Sequence, residues 1–161
     1  MNQTETIRAS HRPPKITTLF VGESAPVSGD FFYSRETQML RNMRSAVEQA
    51  FGATENFLST FKQYGWYLDD LVLEPINDLK RKSKRETKWW EAKKQLAMRI
   101  KEYRPEAIVT LLLGMKHVVN EAASEAGFCG TLHAVPFPGN GQQNRFAIEM
   151  AKILPELPRL K

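Results

Sequence analysis

Residues 16–34 read Ile16-Thr17-Thr18-Leu19-Phe20-Val21-Gly22-Glu23-Ser24-Ala25-Pro26-Val27-Ser28-Gly29-Asp30-Phe31-Phe32-Tyr33-Ser34. The apolar run Leu19-Phe20-Val21 stops at Gly22, a loop of small, polar and aromatic residues follows, and helical periodicity begins near Arg35. A short continuous apolar run closed by glycine is the pattern of a strand buried on both faces. In an open α/β sheet, ligands bind just beyond the carboxyl ends of such strands. The stretch therefore predicts a buried strand that delivers Gly22 to Tyr33 to the rim of a pocket. An ordinary strand–loop–helix connection would carry the same pattern, so the rest of the chain has to decide.

Downstream, Met39, Leu40, Met43, Ala46, Val47, Ala50 and Phe51 recur at helical spacing and stop at Gly52. Thr54 is the candidate N-cap of a second short helix carrying Phe57, Leu58 and Phe61. Trp66–Leu73 reads as a second strand, with Asp69 and Asp70 near its end and Pro75 beyond it. A helix over 86–103, broken by Pro105, places Trp89, Ala92, Leu96 and Ile100 on one face. The run from Ala107 to Leu113 reads as a third buried strand, and a helix to about Ala126 follows Gly114. Thr131–Val135 is the last strand, ending in Pro136-Phe137-Pro138-Gly139-Asn140-Gly141, before a closing helix over 142–154. Alternating strands and helices predict a three-layer α/β/α domain with a mostly parallel sheet of about four strands. Right-handed crossovers would bring all four carboxyl ends to one edge. Residues 1–14, closing on His11-Arg12-Pro13-Pro14, read as a mobile arm ahead of a single domain over 15–161.

A chain of 161 residues suffices for one core, and its 42% hydrophobic and 25% charged content is ordinary for a soluble globular protein. There is no apolar stretch long enough for a membrane helix and no apolar leader at the N-terminus, so a cytoplasmic protein without a membrane partner is expected. One cysteine, Cys129, excludes an internal disulfide, a Cys-only zinc site and an iron–sulfur cluster held by four cysteines. The sequence gives no metal-ligand spacing for His11, His117 and His133, no phosphate loop and no dinucleotide fingerprint, so no cofactor is expected. A monomer is expected.

The net charge of +5 is localised. Lys80, Arg81, Lys82, Lys84, Arg85 and Lys88 stand against one acid, Glu86, so the window 80–88 carries the whole formal charge of the chain. Such a cluster suits phosphate contact, although a solvated loop and helix start would look alike. Phe31-Phe32-Tyr33 could pack in the core or offer a stacking platform for a nucleobase. Glu23, Asp69 and Asp70 are carboxylates near strand ends, where burial would raise a pKa and fit it to acid–base work. Ser24 lacks the Gly-x-Ser-x-Gly elbow of a serine hydrolase.

Taken in order, these elements resemble the uracil-DNA glycosylase superfamily over about residues 16–154. Gly22-Glu23-Ser24-Ala25-Pro26 is similar to that family's water-activating loop, Gly-Gln-Asp-Pro-Tyr in one branch and Gly-Glu-Ala-Pro-Gly in the iron–sulfur branch. Gly29-Asp30-Phe31-Phe32 matches the Gly-x-x-Phe whose ring stacks on the flipped base, which nominates Phe32. Asp69, six residues before Pro75, or the adjacent Asp70, stands where the family has an Asn that reads the base edge. Arg104-Pro105-Glu106-Ala107-Ile108-Val109, running on to Leu113-Gly114, resembles the iron–sulfur branch's third strand. Val135-Pro136-Phe137-Pro138-Gly139 resembles the His-Pro-Ser-Pro-Leu loop that wedges into the duplex.

The resemblance implies hydrolysis of the N-glycosidic bond of a flipped base in DNA, as in base-excision repair. Glu23, Ser24 and Asp70 would be the catalytic candidates. Gly22, Phe32, Asp69, Pro136, Phe137 and Asn140 would contact the substrate, with Phe137 and Asn140 filling the gap left in the stack, and Lys80, Arg81, Lys82, Lys84 and Arg85 would hold the phosphates. Ser24 and Val135 stand at the family's catalytic Asp and His, and the cluster cysteines are absent. A nucleic-acid or nucleotide binding module that keeps the fold without excision is the alternative reading. An ionised Asp only accepts hydrogen bonds and would oppose the O4 acceptor of uracil, so either it is protonated or the preferred base differs.

Overall fold

The apolar runs form β1 (Thr18–Gly22), β2 (Trp66–Asp70), β3 (Ala107–Thr110) and β4 (Thr131–Ala134) in a computed structural model that describes residues 2–161. All neighbours are parallel and the order is β2-β1-β3-β4. β1 lies between two partners, and all five of its residues are buried, which accounts for its lack of alternation. β4 is a short edge strand with Thr131 and Leu132 exposed. The chain order reverses between β1 and β3, so the crevice at their carboxyl ends is the switch point of the sheet.

The helices are α1 (Gln3–Ser10), α2 (Gln38–Phe51), α3 (Phe57–Gln63), α4 (Lys82–Tyr103), α5 (Lys116–Glu125) and α6 (Gln143–Ile153). They complete the expected three-layer α/β/α arrangement, with α4 packed on α5 and α2 on α6. None is long and apolar enough to cross a membrane. An aromatic cluster welds α3 to the sheet. Phe20 lies 5.4 Å from both Phe61 and Trp66, and all three rings are buried. The amino end of the sheet is closed by the Pro158 carbonyl, which accepts from Thr17 Oγ1, Thr18 Oγ1 and Trp66 Nε1 at 2.8–3.0 Å.

Local expectations needed correction in three places. The segment read as a mobile arm over 1–14 instead contains α1, with Met1 outside the described residues. Asn2 caps that helix, its side chain accepting from the Glu5 amide, and Arg8 enters the protein interior at 3% exposure. Second, α3 is capped by Asn56, because the Thr54 side chain is engaged by Glu48. Third, α4 begins at Lys82 rather than near Glu86. Its first turn holds no acid and no side-chain cap, an unfavourable end for a helix, but Arg85 and Lys88 are tied to Glu23 and Glu74. Tertiary pairing overrides the local signal.

Candidate functional site

The register sets the site. Gly22, the last residue of β1, is the partner of Asp70, the last of β2. The ladder runs on past them, with Leu71 N donating to Gly22 O and Val72 N to Glu23 O, at 2.8 and 2.9 Å. The Gly22–Pro26 loop is thus pinned against residues 70–77. Ile76 N reaches Ser24 Oγ at 3.4 Å, and Val27 N donates to Asn77 Oδ1 at 2.9 Å. Ser24 serves here as a half-buried acceptor.

Asp69 and Asp70, adjacent in sequence and both buried, have different surroundings. Asp69 is saturated. Its Oδ1 accepts from the Asp70 amide at 2.8 Å, and its Oδ2 accepts from Arg99 Nη1 at 2.6 Å and from the Tyr103 hydroxyl at 3.3 Å. Arg99 also binds the carbonyls of Asp70 and Leu71, so the pair is a clamp on the strand end. Asp70 accepts only on Oδ2, from Arg8 Nη2 at 2.5 Å, among the described residues. Its Oδ1 faces Gly22 and has no protein donor. Burial pushes the Asp70 carboxyl up to about 6, against the opposing charge of Arg8. A carboxyl poised there can change protonation near neutrality.

Arg8 joins the site from α1, which the sequence had assigned to an arm. Its guanidinium lies over the ring of Phe31, 5.4 Å from the centroid, and its Nη1 is taken by Glu5 of the same helix. Its Nε, 3.6 Å from Asp69 Oδ1, is buried without a hydrogen bond. A donor left in that state costs about 1–3 kcal/mol. The Arg8 fit is therefore incomplete.

Phe31 and Phe32 are both buried: Phe31 lies under Arg8 and 6.1 Å from Tyr33, and Phe32, nominated for stacking, lies 5.0 Å from Tyr33 and 5.5 Å from Phe61. Tyr33, also buried, receives the Leu68 amide on its hydroxyl at 2.7 Å, and burial holds that hydroxyl well above its ordinary range.

Glu23 turns towards the switch-point crevice. Arg85 donates to both of its oxygens at 2.8–3.0 Å, and Trp89 Nε1 donates to Oε2 at 2.8 Å. Trp89 is buried and borders Gly114 across the crevice. Arg85 is thereby drawn inward from the basic cluster, while Lys80, Arg81, Lys82 and Lys84 stay exposed.

The last loop is fastened to α2. Asn42 Nδ2 donates to Pro138 O, and Gln38 Oε1 accepts from Asn140 N, both at 3.0 Å. A Cβ at Gly139 would meet the Gln38 side-chain amide, which could move aside by giving up the Asn140 amide. Asn140 takes a left-handed backbone (φ 52°) and is exposed, Phe137 is half-buried, and Pro136 is buried beside an open groove that includes Arg145 and Ile148. The structure thus gathers Gly22, Asp69, Asp70, Phe31 and Arg8 at one strand end, and Glu23, Arg85 and Trp89 beside them. The Pro136–Asn140 loop is tied instead to Gln38 and Asn42 at the start of α2. No protein-family model matches this chain, and no curated protein does.

Proposed function

We propose that this chain is a uracil-DNA-glycosylase-like protein that receives a flipped base at the β1–β2 end of the sheet and hydrolyses its N-glycosidic bond. The observation that carries the reading is the buried Asp70 carboxyl, one oxygen against Gly22 without a protein donor and the other held by Arg8, whose guanidinium lies over the Phe31 ring. Phe31 offers stacking, worth about 1–3 kcal/mol per base, to offset the few kcal/mol of flipping. Asp70 reads the base edge, and Asp69 with Arg99 holds Asp70 in place. Glu23, on the loop beside them, orients the attacking water and balances positive charge growing on the sugar. Water oxygen bonds to C1′ as the C1′–N bond breaks, its electron pair leaves with the base, and the water's proton ends on the departing base. Lys80, Arg81, Lys82 and Lys84 hold the phosphates.

A second reading, base binding without excision, is favoured by the Glu23 carboxylate, which Arg85 and Trp89 already occupy. One assay separates the two. Oligonucleotides carrying uracil, hypoxanthine, xanthine or mismatches are incubated with the protein and tested for alkali-labile sites. Excision that Glu23→Gln abolishes while DNA binding survives supports the glycosylase. Binding with no base released from any substrate leaves the module, and neither binding nor release sinks both.

A further inference from the structure

We infer that the open edge of β4 pairs with β4 of a second copy of this chain, antiparallel about a two-fold axis, so that the two four-stranded sheets become one. This dimer is independent of the base site read at the β1–β2 strand end, and it departs from the monomer expected on sequence grounds.

The sheet has two edge strands, β2 and β4, and they are treated differently. In a parallel ladder, alternate residues of an edge strand turn their backbone groups away from the neighbouring strand. On β2 these include Leu68 and Asp70. The Leu68 amide donates to the Tyr33 hydroxyl and the Asp70 amide to Asp69 Oδ1, and the whole strand is buried. On β4, Thr131 N donates to Glu106 O and Val135 N to Thr110 O, so the register turns Leu132 and Ala134 outward with their N–H and C=O groups. Leu132 is 41% exposed. Apart from its shortness, β4 has none of the devices that blunt an edge, for it contains no charge, no proline and no bulge.

A groove straddles this open edge. Arg145, Ile148 and Glu149 reach it from α6, Leu113 reaches it from the turn leading into α5, and Ala134 and Pro136 lie between. Ile148 is 59% and Leu113 45% exposed, so a strand laid along β4 would bury an apolar side chain on either side of the sheet. A second copy brings the matching set. Within β4, the antiparallel register that pairs both outward residues sets Leu132 opposite Ala134 of the second copy, a large side chain beside a small one, and the two-fold makes the pair twice. An axis normal to the sheet keeps both copies of α6 on one face and antiparallel. Arg145 of each then approaches Glu149 of the other, since residues four apart share one side of a helix. Their present partners, Gln142 and Lys152, are surface neighbours at i−3 and i+3 and hold them weakly. One cation and one anion leave the groove without net charge, which suits its own two-fold mate and not a phosphate backbone.

Sedimentation velocity on the full chain, over a concentration series from micromolar to millimolar, should show a reversible monomer–dimer equilibrium. Hydrogen exchange at the Leu132 and Ala134 amides should slow as the concentration rises. Ala134→Pro removes an outward N–H that takes no part in the β3–β4 ladder. It should weaken the dimer at least roughly tenfold, because the two-fold loses that hydrogen bond twice. Arg145→Glu and Glu149→Arg should each weaken it roughly threefold, and Arg145→Glu/Glu149→Arg together should restore it. Circular dichroism reports the fold. Should Ala134→Pro not fold, the charge series on the surface of α6 decides. A wild type that stays monomeric throughout would overturn the inference, even if its edge then takes an extended peptide of another chain. So would a dimer that a folded Ala134→Pro leaves unchanged, or, where that variant does not fold, one indifferent to both charge reversals.

Discussion

A methyl group built on Gly22 would lie 2.6 Å from Asp70 Oδ1, so the strand-end glycine and the buried carboxyl occupy adjoining space. The carboxyl cannot swing aside freely, because Arg8 holds its other oxygen at 2.5 Å. Gly22→Ala should therefore destabilise the fold by about 1–3 kcal/mol, the usual range for overpacking. Urea unfolding measures it. If the collision with Asp70 is the cause, Asp70→Gly should relieve it, and a double-mutant cycle should show coupling of about 1 kcal/mol or more. Strict additivity would place the strain elsewhere.

The raised Asp70 pKa fixes the sign of a pH effect. A carboxyl whose pKa is about 6 in the folded chain and 3.8 in the open chain holds its proton more tightly when folded. Its contribution is thus complete below pH about 4 and is lost as pH rises through about 6, amounting to about 3 kcal/mol. Arg8, Asp69, Arg99 and Glu5 all face this group, and the acids and cations oppose one another in setting its value. Other carboxyls work the opposite way. Glu36 and Glu48, both hydrogen-bonded, are held below their ordinary range and favour folding as pH rises. The measurable quantity is therefore the stability of wild type minus that of Asp70→Asn, which should fall between about pH 4 and pH 6. A difference that rises over that window would mean that the Arg8 pairing outweighs burial.

Much of this was legible in the sequence, and the misses have physical causes. Leu19-Phe20-Val21 and Ala107-Ile108-Val109 announced buried parallel strands because both faces of each are covered. Asp69 and Asp70 were visible as carboxylates at a strand end, but their arginines were not. Arg8 and Arg99 lie 62 and 30 residues away from their partners, beyond any local pattern. Helix α1 hid behind a polar composition and Pro13-Pro14, since the residue it buries is an arginine. Asn2 followed by Glu5, the spacing of an N-cap with an acid at the third helical position, was the available signal. Phe31 and Phe32 are both buried, one under Arg8 and the other against Phe61, and no periodicity records which way an irregular loop turns each ring.

Glu23 makes a separate prediction, because its carboxylate is the hub that ties β1 to α4. It accepts three hydrogen bonds from Arg85 and one from Trp89, at a side-chain exposure of 16%. Glu23→Gln keeps one acceptor oxygen and removes the charge, which should cost about 1–3 kcal/mol in urea unfolding. Trp89→Phe removes a single donor and should cost about 1 kcal/mol beyond its packing loss. The pair should couple in a double-mutant cycle. Independent effects would show that the indole is held by the core alone.

The last prediction separates binding from stability by giving them opposite signs. Arg81 is the N-cap of α4, with an extended backbone (φ −78°, ψ 124°) and no side-chain cap, and the first turn behind it is basic. Asp at a cap of this geometry accepts from the second or third helical amide and complements the helix dipole. Arg81→Asp should therefore stabilise the protein by roughly 0.5–2 kcal/mol. If Arg81 contacts a phosphate, the same change should weaken DNA binding for all sequences alike and lower the salt slope by about 1. Thermal unfolding and binding titrations over a salt series read the two effects on one sample. Higher stability with unchanged affinity would remove Arg81 from the nucleic-acid surface, whereas lower stability would show that α4 is held by something its first turn does not reveal.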